Sequence, residues 1–147
     1  MTLKRLLQGV ALFSDLDEDR LQKIVDISQI RDCSGGEIIV AKGAVGEELF
    51  LVLDGEVSIR TSDDPSTAFV FLGRGQIIGE MALVDSGYRS ATVQAVSPTE
   101  LVVFQKDDIY RLCEEDPQLG YYIMRNLAAD LSFKLRHRHL TAQADQR

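Results

Sequence analysis

Between Ile78 and Val93 the chain reads Ile-Gly-Glu-Met-Ala-Leu-Val-Asp-Ser-Gly-Tyr-Arg-Ser-Ala-Thr-Val, and most of its chemical potential lies in this stretch. Gly79 lets backbone approach a ligand, because no Cβ stands in the way. Met81-Ala82-Leu83 reads as the first turn of a short helix, whose unpaired N–H groups and positive dipole end favour an anion. Arg89 can fork onto two phosphate oxygens, and Ser90 places a hydroxyl beside it. Glu80 repels phosphate but accepts hydrogen bonds from a ribose hydroxyl. An acid and a base in one segment therefore point to a nucleotide rather than a bare anion. The competing reading is a surface loop in which Glu80 and Arg89 form an ordinary ion pair.

Other chemistries find little support. The chain has no GxxxxGK[ST], GxSxG or HExxH pattern, so the common nucleotide hydrolase, esterase and zinc protease signatures are missing. A metal site in a barrel would need histidines on strands. The only two, His137 and His139, fall on a late helical segment two positions apart, where they do not share a face. Cys33 and Cys113 lack CxxC spacing and read as structural thiols of a reducing, cytoplasmic compartment. We therefore expect no enzyme, no metal and no cofactor. A net charge of −7 speaks against nucleic acid as a partner, and attraction for a phosphate must come locally from Arg89. Salt screens the distant acidic charges beyond about 8 Å, so a local solution is workable. No apolar run has the length of a membrane span, and no secretory segment follows Met1.

The elements that must position the segment are legible from periodicity. At 147 residues, with 45% apolar and 27% charged side chains, the chain has the size and composition of one globular domain. Residues 1–28 read as helical, with Leu3, Leu6, Leu7 and Val10 on one face and a second helix starting near Asp17. From about 29 to 105 the pattern is short strands: Ile30–Cys33, Glu37–Ala41, Glu48–Asp54, Glu56–Thr61, Ala68–Leu72, Ile77-Ile78, Ala91–Val96 and Glu100–Phe104. Glycine-rich turns between them imply a sandwich or barrel. Asp54-Gly55 reads as a two-residue hairpin turn, and Ser62–Thr67 as an exposed, mobile loop. Helix returns over about 107–140, with Asp116-Pro117 as an N-cap followed by proline at the first helical position. Residues 141–147 form a polar, flexible tail.

The run Gly-Glu-x-Ala-Leu followed by Arg-Ser-Ala-Thr-Val resembles the phosphate-binding cassette of cyclic nucleotide-binding domains. That family includes catabolite activator proteins, protein kinase A regulatory subunits and cyclic nucleotide-gated channels. Gly36, Gly43, Gly55, Phe50 and Val57 resemble its strand-rich half, so the likeness runs from Leu12 to about Leu140. Ile78, where many members carry Phe, and Tyr88 depart from the pattern. The resemblance implies a mainly β, α+β fold: an eight-stranded jelly roll flanked by N- and C-terminal helices. It implies that Glu80 and the Gly79 backbone hold the ribose 2′-hydroxyl. Arg89 would take the phosphate with Ser90 and the N–H groups of Ala82 and Ala91. The base would lie against Phe69 or Val93, under a lid near Lys134 or Leu135. The implied ligand is cyclic AMP, with cyclic GMP also compatible with Ser90.

Such a domain transmits binding as a helix rearrangement to a protein partner. A jelly roll that has lost its ligand and serves as an interaction module is the alternative. Ile123, Leu127, Leu131 and Leu135 step by four along one face, which suits either packing on the chain's own roll or a helix–helix homodimer. The chain ends soon after the last helix, so it carries no following helix-turn-helix. A stand-alone sensor and a piece of a larger protein both fit, and the Met1 start favours the former.

Overall fold

The central strand Glu48–Asp54 (β3) contains an unbroken apolar run, Leu49-Phe50-Leu51-Val52, and all four side chains are buried. Alternate residues on a strand face opposite sides, so a strand buried throughout needs apolar partners on both faces. The computed structural model supplies them. It describes residues 2–61, 70–85 and 88–137. Phe50 and Val52 join Leu101 and Val103 inside the roll, whereas Leu49 and Leu51 join Val102 and Phe104 beneath the helices.

Among the described residues, eight strands form two four-stranded antiparallel sheets. In one, β3 lies between Thr99–Gln105 (β8) and Ile77–Ile78 (β6), with Ser28–Cys33 (β1) beyond β8. The other runs Ile38–Val40 (β2), Thr92–Ala95 (β7), Glu56–Arg60 (β4) and Val70–Gly73 (β5). Val40, Val57, Val93 and Ala95 of the second sheet close the inner core against the first. The expected strand positions agree with these to within about two residues.

The Asp54-Gly55 expectation needs correction. β4 pairs with β5 and β7, not with β3, so the turn carries the chain from one sheet to the other. A D-G pair encodes a sharp reversal with positive φ, and Gly55 has φ of +98°. What it does not encode is whether the two arms hydrogen-bond to each other. A Cβ on Gly55 would lie 2.7 Å from the Pro98 carbonyl oxygen, so the corner is packed against the β7–β8 turn.

Among the described residues, four helices cover the first sheet. Leu3–Gln8 (α1) and Glu18–Asp26 (α2) flank a 3-10 turn at Ala11–Phe13, and Lys106–Glu115 (α3) leads into the 20-residue helix Pro117–Arg136 (α4). Asp17 caps α2 by accepting from the Arg20 N–H at 2.9 Å, and Asp116 caps α4 by accepting from the Leu119 N–H at 3.3 Å. Ile123 and Leu127 are fully buried against the chain's own helical core, Leu131 is half-buried and Leu135 is 66% exposed. The four-residue stripe is therefore split, its first half packing on its own domain. Ser62–Thr67 and the 141–147 tail lie outside the described residues.

Candidate functional site

Arg89 enters its site through two glycines. A Cβ on Gly46 would sit 2.8 Å from Arg89 Nε, and one on Gly79 would sit 2.5 Å from Nη1. Gly79 also has φ of +83°, a backbone conformation that suits glycine. The half-buried guanidinium donates through Nη2 to the Glu48 carbonyl oxygen at 2.5 Å. The Arg89 backbone is fixed as well: its N–H donates to Ala44 O at 2.6 Å, and its carbonyl accepts from the Gly43 N–H at 2.9 Å. Burial lowers the Arg89 pKa from its usual high value, and the Glu48 and Glu47 carboxylates oppose that shift. The result is a fixed cation in the wall of a cavity of 320 Å³.

Gly79, Met81, Ala82, Ser90, Ala91 and Val93 line the same cavity, so the structure gathers most of the expected residues. Val40, Ile59 and Ile78 form its apolar floor, and Tyr88 and Asp85 stand at its exposed rim. The expected helix start is smaller than anticipated. It is a single 3-10 turn, Glu80–Leu83, and the Ala82 N–H donates to Gly79 O at 3.0 Å within it. Four residues are too few to build a helix dipole of any size. The Ala82 amide is also already engaged, which leaves the Arg89 guanidinium as the main positive group at this cavity.

Glu80 faces the other side of Gly79. It is buried, and its Oε1 accepts from Lys134 Nζ at 2.6 Å. Lys134 also meets Asp130 at 3.0 Å. Burial pulls the Lys134 ammonium down, and its bonds to Glu80 and Asp130 more than offset this, so its pKa is raised overall. The loop reading, with Glu80 and Arg89 locked onto each other, does not hold: each has a different partner. Glu80 and Lys134 line a second hollow of 460 Å³ between β5, the 3-10 turn at Ala11–Phe13 and α4. Its apolar walls include Val10, Val70, Leu72 and Leu127. Ile59, Ile78 and Gly79 line both hollows, which meet there. Leu135 lines neither, and Phe69 lies outside the described residues.

A family model described as "Cyclic nucleotide-binding domain" matches residues 30–116, which spans the roll and the Arg89 segment. The chain belongs to the cyclic nucleotide-binding domain family. It is 34% identical over 121 residues to a cyclic nucleotide-gated potassium channel of Rhizobium etli, covering 82% of this chain and 33% of that protein. It is 33% identical over 136 residues to the cyclic AMP receptor protein of Thermus thermophilus, covering 91% of this chain and 61% of that one. A solved cyclic nucleotide-binding domain from Methylobacillus flagellatus superposes with a TM-score of 0.79 at 26% identity, covering 96% of this chain and 82% of that chain. The eight-stranded jelly roll with flanking helices is thus this family's fold. The chain spans only about a third to three-fifths of the two curated relatives, which carry further parts.

Several lining residues were not singled out from sequence as site residues. Gly46, Asn126 and Asp130 are among them. Ile59 was findable: it shares the inward face of β4 with Val57, two positions away. Among the described residues no helix is long and apolar enough to cross a membrane.

Proposed function

We propose that this domain is a sensor for a cyclic ribonucleotide, with cyclic AMP the preferred ligand. The observation that carries the reading is the half-buried Arg89 guanidinium, wedged between Gly46 and Gly79 at the wall of a cavity that opens past Gly79 toward Glu80. A cyclic phosphate fits the Arg89 side, with Ser90 and the Ala91 backbone beside it. Glu80, beyond the glycine, suits a ribose hydroxyl. The second hollow has apolar walls for a purine, with Lys134 of α4 at its edge.

Magnitudes support a shared task. Micromolar affinity needs about 8 kcal/mol, whereas one charge-assisted hydrogen bond contributes roughly 1.5–3 kcal/mol. Arg89 therefore supplies a minority of the binding energy, and the apolar walls and the ribose contact supply the rest. Binding moves α4, and a protein partner reads that movement. Tyr121 and Leu135, both exposed and on one face of α4, offer a surface for such a partner or for a second copy of the chain. The domain does no chemistry on its ligand, and its two free thiols suit a cytoplasmic setting.

A ligand-free interaction module is the second reading. It is favoured by the partners that Arg89 and Glu80 already have, Glu48 O and Lys134. Equilibrium binding of fluorescent cyclic AMP separates the two, and a thermal-shift panel of cyclic AMP, cyclic GMP, cyclic CMP and linear AMP then ranks the ligands. No response to any cyclic nucleotide at millimolar concentration overturns the sensor reading.

A further inference from the structure

Glu48 presents two kinds of acceptor close to Arg89. The guanidinium takes the backbone carbonyl, through Nη2 at 2.5 Å. The carboxylate of the same residue is held by others: its Oε2 accepts from Arg31 Nη2 at 3.1 Å and from Gln105 Nε2 at 2.8 Å. Gln105 faces Glu48 at the end of β8, whereas Arg31 comes from β1, one strand further out, and reaches past β8. The Arg31 guanidinium also lies 5.5 Å from the centre of the buried Phe50 ring, two positions along β3 from Glu48. The surroundings of Arg89 are otherwise acidic. Both Glu47 and Glu48 act on its guanidinium through space, and Asp85 lines the same cavity. An entering phosphate must draw on a cation that already stands among carboxylates.

We propose that Arg31 is a positioning residue for phosphate binding: by holding and neutralising the Glu48 carboxylate, it leaves the Arg89 guanidinium to the ligand. The inference rests on the reading above that gives the phosphate to Arg89. Arg31 lines neither hollow, so it acts through Glu48 and not on the ligand. Gln105 can orient the carboxylate, but a neutral amide cannot cancel its charge. A guanidinium can, and it stays charged throughout the physiological pH range. With side chains 41% and 26% exposed, the Arg31–Glu48 pair adds little to the stability of the fold. Its larger consequence is electrostatic. Without Arg31, Glu48 becomes an uncompensated carboxylate beside the phosphate site, on the residue whose carbonyl anchors Arg89. It would then repel the phosphate and compete with it for the guanidinium.

The test is a charge-rescue cycle read by calorimetry with cyclic AMP. Arg31→Gln should weaken binding about 3- to 5-fold, the upper range of a partly exposed charge pair. Glu48→Gln keeps the backbone carbonyl and removes the charge, so it should tighten binding by a similar factor. The double variant Arg31→Gln/Glu48→Gln should return to within about 2-fold of wild type. A merely structural pair gives a different pattern, in which both single variants weaken binding and the double variant rescues neither. Wild-type affinity in Arg31→Gln overturns the proposal, as does a double variant that binds as weakly as Arg31→Gln. Should Arg31→Gln fail to fold, Glu48→Gln decides alone: tighter binding supports the proposal, and unchanged or weaker binding overturns it. All of these outcomes leave the sensor reading in place. A wild-type protein that does not bind cyclic AMP overturns that reading and the role of Arg31 with it.

Discussion

Arg89 occupies the space that a side chain on Gly79 would need. The Cβ position of Gly79 lies 2.5 Å from Arg89 Nη1 and 3.1 Å from Glu48 O, so the guanidinium and its carbonyl partner close the same volume. Gly79→Ala is expected to displace the guanidinium and to force alanine into a left-handed conformation that costs about 1–2 kcal/mol. The thermal midpoint should fall, and cyclic AMP affinity should drop at least about tenfold, the loss of roughly one charge-assisted bond. Paired thermal and calorimetric titrations check both. Wild-type affinity in this variant would show that the guanidinium is not held by this contact.

Arg89→Lys keeps the charge and discards the fork. A lysine ammonium is a point donor on a flexible stem and cannot meet two phosphate oxygens in one plane. It also cannot reproduce the geometry by which Nη2 is anchored on Glu48 O while Nη1 faces Gly79. A loss of about 1.5–3 kcal/mol, or roughly 10- to 150-fold in Kd, is expected by isothermal calorimetry. Equal affinity for cyclic AMP in the two proteins would remove Arg89 from the phosphate site.

Glu80 and the ribose are tested by a ratio rather than by one affinity. Glu80→Ala also deprives Lys134 of a partner, so absolute binding mixes two effects. Comparing cyclic AMP with its 2′-deoxy analogue cancels the structural part, because both ligands meet the same altered protein. Wild type should prefer the ribonucleotide by about 10- to 150-fold, the value of one hydrogen bond to a charged group of about 1.5–3 kcal/mol. Glu80→Ala should bring that preference close to one. A wild-type protein indifferent to the 2′-hydroxyl rules the ribose role out.

How much could be read in advance depended on where in the chain the partners lie. Gly79, Met81, Ala82, Arg89, Ser90 and Ala91 fall within one contiguous segment, and their spacing alone brought them together around one cavity. Gly46 and Ile59 reach the site from distant parts of the chain, and only the folded sheets place them there, whereas Lys134 was expected nearby from the family resemblance and not from any local motif. The strands of the roll were legible because apolar runs and glycine turns are local signals. Their pairing was not, as Asp54-Gly55 shows: a turn type is set by its own two residues, whereas the choice of neighbouring strand is made by the whole core. Glu80 illustrates the same limit. Its chemistry as an acceptor was evident, but its present partner sits on a helix whose register no local motif determines.

The joint between α3 and α4 should set part of the acid stability. Asp116 accepts from Arg20 Nε at 2.9 Å and from Lys23 Nζ at 3.1 Å, and it caps α4 through the Leu119 N–H. The bond from Arg20 is the largest influence on its carboxyl group, which is pushed down from 3.8 to about 2. Since the folded carboxyl binds its proton less readily than the unfolded one, its stabilising effect is complete above the unfolded value. It is lost as pH falls from about 4 through about 2. Asp116→Asn retains a competent helix cap but no charge for Arg20 and Lys23. The variant should be less stable than wild type at neutral pH, and its urea midpoints should decline less steeply between pH 4 and 2, so that the two curves converge toward the acid end. Parallel curves across that window would show that Asp116 has the same proton affinity in the folded and unfolded chains, and that the Arg20 contact does not hold the joint.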